Sequence, residues 1–181
     1  MATKKPKGNK PSLFTFLRSG LRSLSRKHQP IYAALADAKV AYKGKPTDAD
    51  YNPRQRFAYR CAMCHSEFPA KGVAIDHRED CGKLASWDDV AGFMQRLFCT
   101  KEGLDVLCHT CHDAKTLATK QNITMEEAFL RKRVLALIKE KSSVQLLAYL
   151  KKHKYDGLLV SNAKKREAAV YEILKGETND N

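Results

Sequence analysis

The side chains best equipped for chemistry in this sequence are cysteines, histidines and one aspartate, and their spacing sorts them into two kinds. Cys61-Ala-Met-Cys64 and Cys108-His-Thr-Cys111 are two C-x2-C pairs. Such a pair makes a short turn whose thiolates converge on one ion, and two turns complete a tetrahedral zinc shell. Four soft sulfurs with no open position describe a structural Zn2+ site rather than a catalytic one. Cys81 and Cys99 match neither spacing and read as ordinary thiols. Asp76-His77 lies between the pairs, and His112 directly follows Cys111. A carboxylate beside an imidazole offers an oxygen for a hard divalent cation and a base that titrates near neutrality. The plainer reading is structural: Asp-His pairs are common, and His112 can be a bystander of the sulfur site.

These residues need elements to hold them. Gly72-Val-Ala-Ile-Asp76-His77 predicts a short strand, with Val73, Ile75 and His77 on one side and Ala74 and Asp76 on the other. Ser86-Trp-Asp-Asp89 predicts the cap of a helix that buries Val90, Phe93, Met94, Leu97 and Phe98, with Trp87 in the core. Leu104-Asp-Val-Leu107 predicts a second strand, and Cys111-His-Asp-Ala-Lys115-Thr enters a helix. The stretch between the cysteine pairs is longer than a simple zinc ribbon needs, so something is inserted there.

The flanks read as helical and basic. Residues 1–11, with four Lys, two Pro and one Gly, predict a disordered tail. Phe14, Leu17, Leu21 and Leu24 then form an apolar helical stripe, while Arg18, Arg22 and Arg26 recur at every fourth position beside it. That basic row is either a solvated face or a track for phosphates. Pro30 predicts the start of a second helix running through Ile31, Leu35 and Val40 to Gly44, followed by a linker over 45–55. Thr124 to Glu127 resembles a capping box that opens a helix through Ile138, which Ser142-Ser143 interrupts. Another helix is expected through Leu150 to Asp156-Gly157, and a third from Ser161-Asn162. The last two suit a helix-turn-helix, with Lys164, Lys165 and Arg166 near the start of its second member, or a helical hairpin packed on a core.

Composition narrows the function classes. Of 181 residues, 33 are Lys or Arg and 20 are Asp or Glu, for a net charge of +13. Such an excess predicts an anionic partner, most often nucleic acid. The charge is uneven: residues 1–60 carry 14 basic and 3 acidic side chains, 61–120 carry 7 and 9, and 121–181 carry 12 and 8. Basic flanks thus enclose a slightly acidic centre that holds all six cysteines. The longest unbroken apolar run, Ile31 to Ala36, is six residues, against the roughly 20 of a spanning helix, so no membrane partner is expected. With no secretory h-region, a reducing, cytoplasmic setting is expected, which again favours metal ligation over disulfides. The Arg- and Ser-rich stretch from Ser12 to Lys27 also suits an organellar transit peptide, although the basic third segment favours a nucleic-acid arm.

The centre resembles the HNH endonucleases, the ββα-metal nucleases, and looks most like small bacteriophage-encoded forms. The residues that carry the likeness are Tyr59-Arg-Cys-Ala-Met-Cys64, Glu67-Phe-Pro-Ala-Lys71, Ile75-Asp-His77, Arg96-Leu-Phe-Cys99, Gly103-Leu-Asp-Val-Leu-Cys108 and Cys111-His-Asp-Ala-Lys-Thr116. Phe16-Leu-Arg-Ser-Gly-Leu-Arg-Ser23 resembles the preface of those phage proteins. The resemblance implies that Asp76 and His112 bind one Mg2+ or Mn2+ and that His77 is the general base. It also implies DNA cleavage leaving a 5′ phosphate, and a role as a homing or mobile-element endonuclease. Lys115, on nearly the same helix face as His112, would hold a flanking phosphate. Two positions depart from the pattern. Gly103 stands where the family has an asparagine that steadies the base's loop, and Arg78-Glu79-Asp80 replaces an apolar residue and a proline.

The sequence therefore predicts an α+β protein: a disordered tail (1–11), a basic helical arm (12–56), an HNH core with a four-cysteine zinc site (57–120) and a helical extension (121–181). Its expected partner is double-stranded DNA, bound as a monomer or dimer. The alternatives are a zinc-containing DNA-binding protein that does not cut, and a module that binds a protein partner.

Overall fold

The structure, a computed structural model, describes residues 12–45 and 52–179. The tail predicted over 1–11, and positions 46–51 of the predicted linker, lie outside the described residues. The fold mixes helix and sheet, and the chain forms two compact units that part between His109 and Thr110.

In the first unit, α1 (Leu13–Ser25) starts where Ser12 Oγ accepts the Thr15 amide at 3.3 Å. α2 (Gln29–Ala38) carries Pro30 in its first turn, where a missing N–H is harmless. The expected run of this helix to Gly44 does not occur. The chain becomes extended at β1 (Lys39–Ala41), which pairs antiparallel with β2 (Phe57–Arg60). Val40, β-branched and opposite Ala58, suits a strand, and Lys39 Nζ sits 3.7 Å from the centre of the Phe57 ring. β3 (Glu67–Phe68) adds to the other side of β2. A second sheet pairs β4 (Val73–His77) antiparallel with β5 (Leu104–Cys108), and α3 (Asp89–Leu97) lies in their connection.

One apolar cluster joins the connection to the N-terminal helix. Cys81, Leu84, Phe93 and Leu97 are buried, and Phe14, Leu17 and Leu21 pack against them. Leu24, expected on that stripe, is 59% exposed, and Ser25 is buried in its place. The stripe drifts around the helix, and the Ser25 hydroxyl satisfies itself by donating to the Arg22 carbonyl at 3.0 Å. Trp87 is also not core: it is 67% exposed and meets Phe14 edge-on with ring centres 5.5 Å apart.

The second unit is helical: α4 (His109–Gln121), α5 (Met125–Glu140), α6 (Ser143–Lys152) and α7 (Ala163–Asn179). α4 meets α5 through small residues, Ala114, Ala118 and Ala128. Val134, Leu146, Leu150, Val160, Ala169, Val170, Ile173 and Leu174 form the larger core. Thr124 Oγ caps α5 by accepting the Glu127 amide at 3.2 Å, while the Glu127 carboxylate turns to Arg131 instead of completing a box. The full capping box is at Ser142 and Gln145, where the sequence suggested only an interruption. α6 ends at Lys152, short of the expected Asp156. The ten residues between α6 and α7 include a 3-10 turn, Gly157–Val160, that opens with Gly157 at φ +53°. The turn of a helix-turn-helix takes roughly three or four. No helix among the described residues is long and apolar enough to cross a membrane.

Candidate functional site

The first cysteine pair sits at the tip of the β2–β3 hairpin. The Cys61 amide donates to the Ser66 carbonyl and the His65 amide returns to the Cys61 carbonyl, both at 2.9 Å. His65 adopts the left-handed conformation (φ 59°) that lets the knuckle close. The Ala62 amide donates to the Val106 carbonyl at 2.9 Å, fastening this tip to β5, whose last residue is Cys108. Cys111 lies in the first turn of α4.

The sulfurs of Cys61, Cys64, Cys108 and Cys111 all lie within 4.8 Å of one another, and Cys64 and Cys108 are 4.0 Å apart. Four sulfurs at about 2.3 Å from one tetrahedral ion would stand roughly 3.8 Å apart, so the cluster fits a metal such as zinc. Cys64 is exposed and the other three are buried. Burial pushes the Cys61 thiol up. The amides of Cys64, Cys108 and Met63 and the Cys64 side chain outweigh burial and bring it to about 7, below its ordinary 9.0. Cys81 and Cys99 stay outside the cluster, and burial raises both thiols. Among the described residues, no other group of three or more metal-ligating side chains converges in this way.

Asp76 and His77 are the last residues of β4. In the hairpin register Asp76 faces Asp105 and His77 faces Leu104. His77 Nε2 donates to the Leu97 carbonyl at 3.0 Å. The chain just beyond is held as well, because the Arg78 amide donates to the Gly103 carbonyl at 2.9 Å. Sequence reasoning missed Arg78 and Asp105 as partners. Arg78 Nε donates to Asp105 Oδ1 at 2.8 Å, and both line an open cleft of about 460 Å³. The available signal was the lone carboxylate inside the apolar Leu104-Asp-Val-Leu107.

His112 belongs to the second unit, half-buried in the first turn of α4, with Nδ1 3.9 Å from the Asp113 carboxylate. Lys115 lies one turn along and is half-buried. Arg18, Arg22 and Arg26 are exposed at α1. Of the C-terminal cations, Lys164 is exposed. Lys165 Nζ donates to the Leu158 carbonyl and Arg166 Nε to the Val160 carbonyl, each at 2.8 Å. Those two side chains therefore hold the 3-10 turn against the start of α7.

No protein-family model matches this chain, and comparison with curated proteins and with solved structures gives no match either.

Proposed function

We propose that the chain is a metal-dependent DNA endonuclease of the HNH, ββα-metal kind, similar to the small bacteriophage-encoded homing or mobile-element enzymes and acting in the cytoplasm. The observation that supports this best is the β4–β5 hairpin and its continuation into α4. Asp76-His77 closes one strand, and the other passes directly into the helix that bears Cys111 and then His112. In this reading zinc fills the four-sulfur cluster, and a fixed knuckle fixes the start of α4 and so the place of His112.

Asp76 and His112 would hold the catalytic Mg2+ or Mn2+, one oxygen and one imidazole nitrogen being a donor set such ions accept when water completes the shell. That ion would supply Lewis-acid stabilisation of charge on the phosphate. His77 is the general base. The bond from its Nε2–H to the Leu97 carbonyl holds the ring in place for taking a proton from the attacking water. The exposed arginines of α1, together with Lys115 and Lys164, supply the grip on double-stranded DNA.

The test is cleavage of supercoiled and linear DNA with Mg2+, with Mn2+ and with a chelator. Divalent-dependent cutting that His77→Ala abolishes is the expected result, and no cutting with either ion rejects the reading. One observation favours a second reading, a zinc-containing DNA-binding protein: Gly103 lacks the side chain the family uses to steady the base's loop. Salt-sensitive duplex binding without cleavage would identify it.

A further inference from the structure

Arg78 opens one of the two stretches at which this chain departs from the family it resembles, and its surroundings are specific. Arg78 directly follows His77, the last residue of β4. Asp105, directly across from Asp76, takes Arg78 Nε at 2.8 Å. The guanidinium therefore leans across the hairpin end onto the carboxylate of Asp105 on the facing strand. It is anchored at both ends of the residue, by this bond and by the amide bond to Gly103. The two Nη nitrogens make no hydrogen bond to the described residues, and the side chain is 61% exposed on the wall of the 460 Å³ cleft.

An arginine held through Nε presents its two outer nitrogens as a planar fork, the arrangement that matches two oxygens of a phosphate. The ion pair with Asp105 does not compete strongly, because a solvent-screened pair of this kind holds only weakly. Asp105 acts on the direction of the fork more than on stability.

We infer that Arg78 binds a phosphodiester of the DNA strand at the Asp76-His77 end of the hairpin, and that Asp105 is the positioning residue that aims it. This rests on the nuclease reading for the identity of the strand, and the test of the phosphate contact itself does not depend on cleavage.

Binding of a short duplex to the full chain would be followed by fluorescence anisotropy in EDTA across a salt series, for the wild type and for Arg78→Gln, Arg78→Lys and Asp105→Asn. Arg78→Gln should weaken binding about tenfold, the worth of one charge-assisted contact. It should also make the slope of log affinity against log salt shallower by about 0.9. Arg78→Lys keeps the charge and should keep the slope, and in the cleavage assay it should lower kcat more than it raises KM, because the fork is lost. Asp105→Asn should leave the slope unchanged and lower kcat in the same way. Zinc content and circular dichroism check that each variant is folded. A folded Arg78→Gln protein with wild-type affinity and slope overturns the proposal. If the wild type fails to cut under any divalent ion but Arg78→Gln still loses the slope, the nuclease reading falls and the phosphate contact stands.

Discussion

The sulfur of Cys99 fills the space that a side chain at position 103 would need: a Cβ on Gly103 would stand 2.8 Å from it. The carbonyl of that same glycine holds the Arg78 amide, one residue beyond His77. Glycine at 103 is therefore matched to cysteine at 99, and its backbone holds the chain just beyond His77. Gly103→Ala should destabilise the first unit by about 1–3 kcal/mol through overpacking. Cys99→Ala should relieve most of that loss in the double variant. Denaturant melts of the four proteins in the cycle measure the coupling, and strictly additive losses would mean that the two positions do not interact.

Metal analysis should find about one tightly held zinc per chain. Stripping it, or changing Cys61 or Cys108 to Ser, should unfold the centre, because binding energy on the order of 10 kcal/mol is folding energy in such sites. Zinc affinity should fall with decreasing pH, since protons compete for the thiolates. Cys61 is lowered to about 7 from 9.0, so its contribution is complete at alkaline pH and is lost as pH drops through about 7. A competition titration against a chelator at several pH values reads the slope, and a pH-independent affinity would exclude thiolate ligation.

His77→Ala should abolish cutting, by at least about 100-fold, while DNA affinity and zinc content stay at wild-type levels, since a general base acts only in the transition state. Asp76→Ala and His112→Ala should abolish cutting and remove its response to divalent ions. Retained cleavage by the His77 variant would reassign the base.

Asp89 accepts the amides of Ala85 and Ser86 and the Ser86 hydroxyl at 2.8–3.0 Å, and these three bonds hold its carboxyl below its ordinary pKa of 3.8. A depressed folded pKa contributes stability above the unfolded value and loses it as pH falls through the folded one. Asp89→Asn should therefore destabilise the protein near neutrality and cost almost nothing at strongly acid pH. Thermal melts of both proteins at several pH values below 5 would show the two curves converging. A constant gap would refute the assignment.

The N-terminal helix should prove inseparable from the first unit. Phe14, Leu17 and Leu21 are half-buried against Cys81, Leu84, Phe93 and Leu97, so Leu21→Ala should cost about 1–2 kcal/mol. Removing residues 1–28 should yield insoluble protein. The exposed arginines can be tested without that damage: changing Arg18, Arg22 and Arg26 to Gln should leave the melt unchanged and reduce the salt slope of DNA binding by about 0.9 for each that touches phosphate. An unchanged slope would move the grip elsewhere.

The sulfur cluster was legible in the sequence because ligand spacing is local: C-x2-C is one turn, wherever the turn sits. Strands β4 and β5 were legible for a similar reason, as alternating apolar runs that end in marked residues. The three-stranded sheet was not, because β1 and β3 are only three and two residues long and their identity comes from pairing with β2. The bonds from Lys165 and Arg166 to the carbonyls of Leu158 and Val160 were not legible, because nothing in sequence distance announces them. The bond from His77 to Leu97 crosses 20 positions and needs the α3 insertion to exist. Conversely, Trp87 looked like core because large aromatic residues usually are, yet it serves as a cap over Phe14.

That exposed indole gives the molecule a built-in optical probe. The chain has a single tryptophan, so all of its indole emission comes from the place where α1 meets the start of α3. Detachment of the N-terminal helix would change the surroundings of Trp87 directly, whereas loss of metal would act first on sulfurs carried by other elements. Fluorescence can thus time the release of one end of the first unit separately from changes at the four-cysteine cluster, with no label added.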